Sequence, residues 1–364
     1  MHGFIFTVFI KIDSYLFLRI MYVFLILLAL LLIFIVGFAI YKRRVESKKK
    51  IWQERIALII SQAIFSTDEE DEHIGITNDV EKLLQNSTFR QDVINELIHA
   101  KKNLSGSFTT NLKKLYQILE LNKDSFKKLN SKKWHIKAKG VQELEIMEQI
   151  KYVKEIFRLT NNANELVRNE AQCALVSFYG FLGLRFLNVT AYPISQWQQI
   201  QLLNKLNGVQ PKNFDGIKKW LQSPNESIIV FSLKLASFYN CYDVYDNVIN
   251  CLQSSSLQVR LNAMEYLKKM PQEDTPDQMI SHYSFENKIY KLAIIDALKD
   301  IGNENQITFL LKRLYDKDDD IKVAAAKSLS YLHPSGAAFL QSHLFADENP
   351  WKAIFLQINN ERAA

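Results

Sequence analysis

The chain opens on an unbroken apolar run and then settles into amphipathic segments of helical period. From Ile20 to Tyr41 the sequence IMYVFLILLALLLIFIVGFAIY runs for 22 residues without a charge. As a helix it would be about 33 Å long against a hydrocarbon core of roughly 30 Å. It therefore predicts a transmembrane helix at 20–41, preceded by a short non-cytoplasmic N-terminus at 1–19. A signal peptide has a shorter apolar core of about 7–15 residues, and the small-x-small triplet here, Gly37-Phe38-Ala39, lies inside the run. Tyr15, Tyr22 and Tyr41 fall where interfacial aromatic belts would lie.

Beyond the basic segment 42–50, Trp52 to Phe65 places Ile56, Ile59, Ile60 and Ile64 at helical spacing. The acidic run Asp68 to Glu72, with His73 beside it, reads as a solvated loop, because it lacks the turn glycine of a calcium loop. Asn78-x-x-Glu81 and Thr88-x-x-Gln91 resemble capping boxes ahead of two further helices, and another helix is expected from about Phe108 to Leu121. Residues 51–130 thus predict an all-helical lead-in without a repeat.

From residue 136 the pattern becomes self-similar: a β-branched residue, a small residue four positions on, and Leu or Ala eight positions on. Six copies begin at Ile136, Val167, Ile228, Val259, Ile289 and Ile321, spaced 31, 61, 31, 30 and 32 apart. The double interval implies a degenerate copy within QWQQIQLLNKL, from Gln196 to Leu206. One helix of 31 residues would be about 46 Å long, yet Pro193, Pro211, Pro224, Pro271, Pro276, Pro334 and Pro350 fall at the expected turns. Each unit is therefore expected to be a helical hairpin. The small residue lets a neighbouring helix approach, and the i, i+4, i+8 row must be buried by stacking copies, since no unit can cover it alone. The predicted fold class is all-α: an N-terminal transmembrane helix followed by an α-solenoid of period about 31 over residues 131–364.

The residues that carry this pattern resemble HEAT repeats. Asp318-Asp319-Asp320-Ile321-Lys322-Val323-Ala324-Ala325-Ala326-Lys327-Ser328-Leu329 matches that family's turn aspartate, valine-arginine pair and alanine-leucine row, and the stretches from Asn164 to Leu175 and from Leu257 to Leu267 are similar. The copies at Ile228 and Ile289 lack the basic residue. The layout as a whole resembles bacterial membrane-anchored HEAT-repeat proteins. That resemblance implies a partner-binding scaffold, in some members associated with membrane glycosyltransferases or polysaccharide synthesis; other helical-repeat folds act as bilin lyases or DNA glycosylases.

Charge refines the picture. The net +6 resides in residues 1–50, which hold eight Lys/Arg against Asp13 and Glu46, so the remaining 314 residues sum to zero. A nucleic-acid partner is not expected from a domain with no basic balance. Lys42, Arg43, Arg44, Lys48, Lys49 and Lys50 follow the apolar run, against Lys11 and Arg19 before it, so the positive-inside bias predicts a single-pass protein of the cytoplasmic membrane with its C-terminal domain in the cytoplasm. The same six charges form the candidate membrane-surface site. In the soluble part Lys123, Lys127, Lys128, Lys132, Lys133, Lys137 and Lys139, with Asp124 among them, read as a solvated ridge and as a candidate interaction patch for a membrane surface or a phosphate-bearing ligand.

Motif-level chemistry is sparse. Cys173, Cys241 and Cys251 have no CxxC or metal spacing and read as reduced core thiols. The seven histidines form no ligand pair, and there is no phosphate-binding glycine loop or GxSxG. His333-Pro334-Ser335-Gly336 reads as an inter-helix turn. The aromatic stretch Phe178, Tyr179, Phe181, Phe186, Tyr192 and Trp197, around Gly180 and Gly183, predicts core packing of a tightly approaching repeat. The expectation is a non-enzymatic, cofactor-free scaffold that holds a membrane-associated protein partner.

Overall fold

The computed structural model describes residues 14–65, 77–210, 215–285, 287–332, 340 and 351–363. The acidic run with His73, the turn at 333–336 and the N-terminus before residue 14 lie outside the described residues. Among the described residues there is no strand. The chain divides into two compact units, 1–124 and 125–364.

The first unit is dominated by α1, a single helix Ser14–Phe65 of 52 residues, about 78 Å long. The expected transmembrane helix, basic segment and following amphipathic helix are therefore one element. Between Ile40 and Phe65 there is no Gly or Pro to end it, and the Lys, Arg and Glu residues are good helix formers, with Lys42 and Glu46 paired at 3.9 Å. Side chains from Phe17 to Arg44 are exposed all round, whereas Ile56, Ile59, Ile60 and Ala63 are buried. That buried stripe packs on α3 (Ser87–Asn103) and α4 (Ser107–Ile118), following the short α2 (Asn78–Leu84), and Trp52 meets Phe89 edge-on at 5.4 Å between ring centroids. Phe89, Val93 and Leu97 of α3 face Leu112, Leu115 and Tyr116 of α4 across this small core.

Two expected caps shift. Asn78 is the first residue inside α2, with Thr77 at the N-cap, and α3 is capped by Asn86, whose side chain accepts from Thr88 N and Phe89 N, so Thr88 sits two residues too late for that role. The helix expected to run to Leu121 stops at Ile118. Glu120 adopts φ 52°, which breaks the register, and α5 (Leu121–Leu129) starts afresh. Arg90 secures this corner, donating to the Asp124 carboxylate at 2.5 Å and to Glu120 O at 3.0 Å.

The second unit is a solenoid of alternating short and long helices. The long ones are α6 (Trp134–Ile146), α8 (Glu165–Tyr179), α9 (Gln196–Leu206), α11 (Glu226–Phe238), α13 (Leu257–Lys269), α15 (Lys288–Ile301) and α17 (Asp319–Leu332). Each is preceded by a shorter helical piece: the end of α5, α7 (Val153–Arg158), the 3-10 run Gly180–Asn188, α10 (Asp215–Trp220), α12 (Tyr245–Cys251), α14 (Thr275–Ser281) and α16 (Ile307–Arg313). A last helix, α18 (Trp351–Ala363), packs on α17. A Cβ on Gly140 of α6 would lie 2.8 Å from Leu129 N and Ser125 O. That close approach draws the C-terminal half of α5 into the array, so the array begins before residue 131.

The repeat register is visible in burial. Val167, Gln198, Ile228, Val259, Tyr290 and Ile321 are all buried, spaced 31, 30, 31, 31 and 31 apart. The residues four and eight positions on from each, among them Ala171 and Leu175, Leu202 and Leu206, Ile294 and Leu298, are buried with them. One sequence reading is made specific and another shifts accordingly. The degenerate copy is Gln198-Leu202-Leu206, and the copy assigned to Ile289 starts at Tyr290, because Ile289 is 60% exposed while Tyr290 is fully buried. An aromatic ring takes the place of the β-branched residue, and the restored period is close to uniform.

Candidate functional site

On α1, Lys42, Arg43, Arg44, Lys48, Lys49 and Lys50 are all exposed. At 100° per residue they ring the helix and do not share one face. Above them the apolar stretch has no buried residue, and among the described residues α1 is the one helix long and apolar enough to cross a membrane.

The lysine stretch of the soluble part is mostly exposed, with one exception. Lys127, Lys132, Lys133 and Lys139 are exposed and Lys137 is half-buried. Lys128 instead turns inward onto Glu143, at 2.6 Å. The Glu143 side chain is only 2% exposed and also accepts from Ser125 Oγ at 2.5 Å, with Lys139 Nζ 4.0 Å away. Lys123 pairs with Glu120, and Asp124 is held by Arg90. The expected interaction patch thus loses Lys128 to internal packing, since a carboxylate buried in the α6 contact needs a cation beside it.

Similar polar ties run between the long helices and fix their stacking. Glu145 accepts from Ser177 Oγ at 2.6 Å and from Lys205 at 2.5 Å; Gln172 is bonded to Gln198; Lys234 donates to Gln199 at 2.9 Å; Lys268 bridges Asp296 and Asp300 at 3.2 and 3.3 Å. The basic residue after the β-branched position is part of this framework. Arg168 donates to Asn162 O and Ala163 O and lies 4.1 Å over the Tyr192 ring; Arg260 donates to Ser254 O and Ser255 O and lies 5.1 Å over Tyr290. The three thiols are buried, and burial pushes Cys173 and Cys241 up to about 12 and Cys251 to about 11. They are core groups rather than nucleophiles. Among the described residues no group of three His, Cys, Asp or Glu is placed to hold a metal ion.

The concave feature best suited to a ligand lies on the short-helix side. A groove of about 620 Å³ is lined by Val153 and Phe157 of α7, Leu175 and Tyr179 at the end of α8, and Leu182 and Gly183 of the 3-10 run, with Lys154, Arg158 and Arg185 at its rim. Gly183 makes the floor possible: a Cβ there would lie 2.3 Å from Leu175 O and 2.7 Å from Val176 Cα, so the chain can fold back over α8 only at a glycine. Gly180, at φ 57°, sets the turn that starts this run. Tyr179 and Leu182 form a ridge, and beyond it a second hollow of about 420 Å³ is lined by Val176, Ser177, Lys205 and Val209. The aromatic stretch read as core is therefore split. Phe181 and Phe186 are buried, while Tyr179 and Trp197 are exposed. Lys154, Arg158 and Arg185 carried no sequence signal, because the first two sit on the short α7 and the third on the 3-10 run some 27 residues on, and they converge only when that run folds back.

Comparison with known families fits this architecture. Residues 245–330 match the family model of HEAT repeats. That segment is HEAT-like, and it lies within the all-α solenoid of stacked hairpins. A search of curated protein sequences finds no match to the chain. Among solved structures, the chain is similar to an engineered protein (13% identity, covering 77% of this chain and 87% of that one, TM-score 0.37) and to human deoxyhypusine hydroxylase in complex with glycerol (11%, 78% and 98%, TM-score 0.30). It is also similar to the CpcE–CpcF complex of phycocyanin lyase from a Nostoc species (12%, 81% and 99%, TM-score 0.24).

Proposed function

We propose that this HEAT-like protein is a non-catalytic scaffold, tethered to the cytoplasmic membrane by the N-terminal part of α1, that holds a membrane-associated protein partner on its solenoid. The observation that carries the reading is the division of labour along α1. One continuous helix exposes an uncharged 22-residue stretch, then a ring of six cations, then buries Ile56, Ile59, Ile60 and Ala63 in a folded core. In water that first stretch would be a large unpartnered apolar surface. In a bilayer it is satisfied, and the cations lie at the depth of anionic headgroups, each worth about 1 kcal/mol. An extended repeat surface built by stacking, with its internal polar groups tied to one another, suits recognition of a macromolecule.

The test is in-cell crosslinking of the full-length protein followed by detergent extraction and mass spectrometry, with alkaline washing of membranes in parallel. The expected result is retention in washed membranes and reproducible crosslinks to one membrane-associated protein. Release by alkaline washing overturns the tether, and recovery of the uncrosslinked protein alone overturns the scaffold.

A further inference from the structure

We infer that the groove between α7 and the 3-10 run Gly180–Asn188 is the docking site for an acidic, apolar segment of the partner protein; this rests on the scaffold reading above and names the chemistry of the bound partner. Three observations converge. The floor and walls are apolar, built by Val153, Phe157, Leu175 and Leu182 over a volume of about 620 Å³. Phe157 is 41% and Leu182 50% exposed, an arrangement that leaves large apolar side chains in water unless something covers them. At the rim, Lys154, Arg158 and Arg185 have no hydrogen bond or ion pair to any described residue, and no carboxylate lines the groove.

Lys128, Lys205, Lys268 and Lys288 are all drawn onto carboxylates, whereas Lys154 and Arg158 stand one turn apart on the six-residue α7. Glu155 is the one acidic residue of α7, so the three cations leave the groove rim net positive. Charge complementarity therefore selects carboxylates as the ligand's polar groups, and Arg158 and Arg185 suit them through bidentate hydrogen bonding. The half-exposed walls exclude an enclosed small-molecule pocket, which would bury roughly 70–90% of its ligand. An open trough with apolar floor and charged rim is the form that receives a peptide segment, with apolar side chains seated between Phe157 and Leu182 and acidic neighbours on the rim. The ridge of Tyr179 and Leu182 extends the same surface toward the second hollow beside Lys205.

The experiment uses the full-length protein in phosphatidylcholine nanodiscs and a displayed library of random peptides of about 16 residues, four to five helical turns. Selected peptides are expected to be enriched in Asp and Glu beside Leu and Phe. Their affinity should fall about tenfold or more in the triple variant Lys154→Glu, Arg158→Glu, Arg185→Glu and in Leu182→Asp, and remain unchanged in the control Lys312→Glu, at an exposed position of α16. Circular dichroism and thermal unfolding establish that the variants, all at exposed positions, are folded. Selection without acidic enrichment, or peptides that bind the triple variant as well as the parent, overturns the proposal. Loss of binding to phosphatidylglycerol vesicles in the triple variant, with peptide binding intact, also overturns it and assigns the rim to lipid headgroups. If in-cell crosslinking returns the same partner from the parent and the triple variant, the scaffold stands and the groove assignment fails; if the parent returns no partner, the scaffold itself fails.

Discussion

Lys128 Nζ lies 2.6 Å from Glu143 Oε2, beneath the packed face between α5 and α6, and Ser125 Oγ donates to the same oxygen at 2.5 Å. Removing the cation leaves a carboxylate that is almost fully buried. Lys128→Met is therefore expected to destabilise the fold by about 3 kcal/mol, whereas Lys132→Ala, on an exposed neighbour, changes stability by no more than about 0.5 kcal/mol. Urea unfolding of the two variants checks the contrast, and equal effects would return Lys128 to the surface.

Gly183 is the second sensitive point. A methyl group there meets the backbone of Leu175 and Val176 at 2.3–2.7 Å, and backbone cannot give way as a flexible side chain does. Gly183→Ala is expected to cost about 3 kcal/mol or more and to open the groove. Gly37, on exposed α1, has nothing within 4 Å of its Cβ position, so Gly37→Ala is tolerated. Melting temperatures of the two variants, measured in the same detergent, separate steric fold-back from a general intolerance of substitution.

The paired arginines predict a graded effect. Arg260 spans Ser254 O at 2.6 Å and Ser255 O at 3.2 Å while covering Tyr290. Arg260→Lys cannot keep two donors and a planar stack at once. Destabilisation of about 1–2 kcal/mol is expected for Lys and about 2–3 kcal/mol for Ala, with Arg168 behaving alike. Thermal denaturation of the four variants measures the series; a lysine that fully restores stability would reduce the role of Arg260 to charge.

The thiols predict alkaline sensitivity. Burial raises the folded pKa of Cys173 and Cys241 to about 12, with Glu145 and Glu170 adding to the effect at Cys173 and Asp243 at Cys241. A raised folded value means that the native state holds its proton more tightly than the unfolded chain. Their contribution to stability is therefore complete below the ordinary thiol pKa of about 8.5 and is lost as pH rises from there toward 12. Unfolding midpoints measured upward from pH 8 should fall, and the fall should be smaller in Cys173→Ala relative to that variant's own neutral-pH stability. Alkylation at neutral pH should be slow in the native protein and complete in denaturant.

Much of the fold was legible along the chain, since both kinds of information it rests on are periodic. The uncharged run from Ile20 to Tyr41 specifies a helix of bilayer length, and the recurrence near 31 residues of a branched, a small and a large apolar position specifies hairpins that have to stack. Copies whose side chains depart from that pattern were harder to register: Gln198 lies within the segment expected for the degenerate copy, whereas Tyr290, and not Ile289, takes the buried position, through a ring under Arg260 that only neighbouring repeats make tolerable. The continuity of α1 was hidden by its change of composition at Lys42, although nothing in the residues ends the helix.

The candidate site was not legible, for a different reason. Lys154 and Arg158 belong to the short α7 and Arg185 to the 3-10 run, far apart in sequence, and Lys128 is indistinguishable in sequence from the lysines around it. Which charge is buried against a carboxylate and which is left at a groove is decided by the direction each side chain takes once Gly183 lets the chain fold back over Leu175. The sequence by itself determined the helical repeat and the apolar helix, because burial of periodic surface is a local requirement met many times over. The tertiary structure alone decided the groove and its unpaired rim, because their residues lie on different elements and meet through a single close approach.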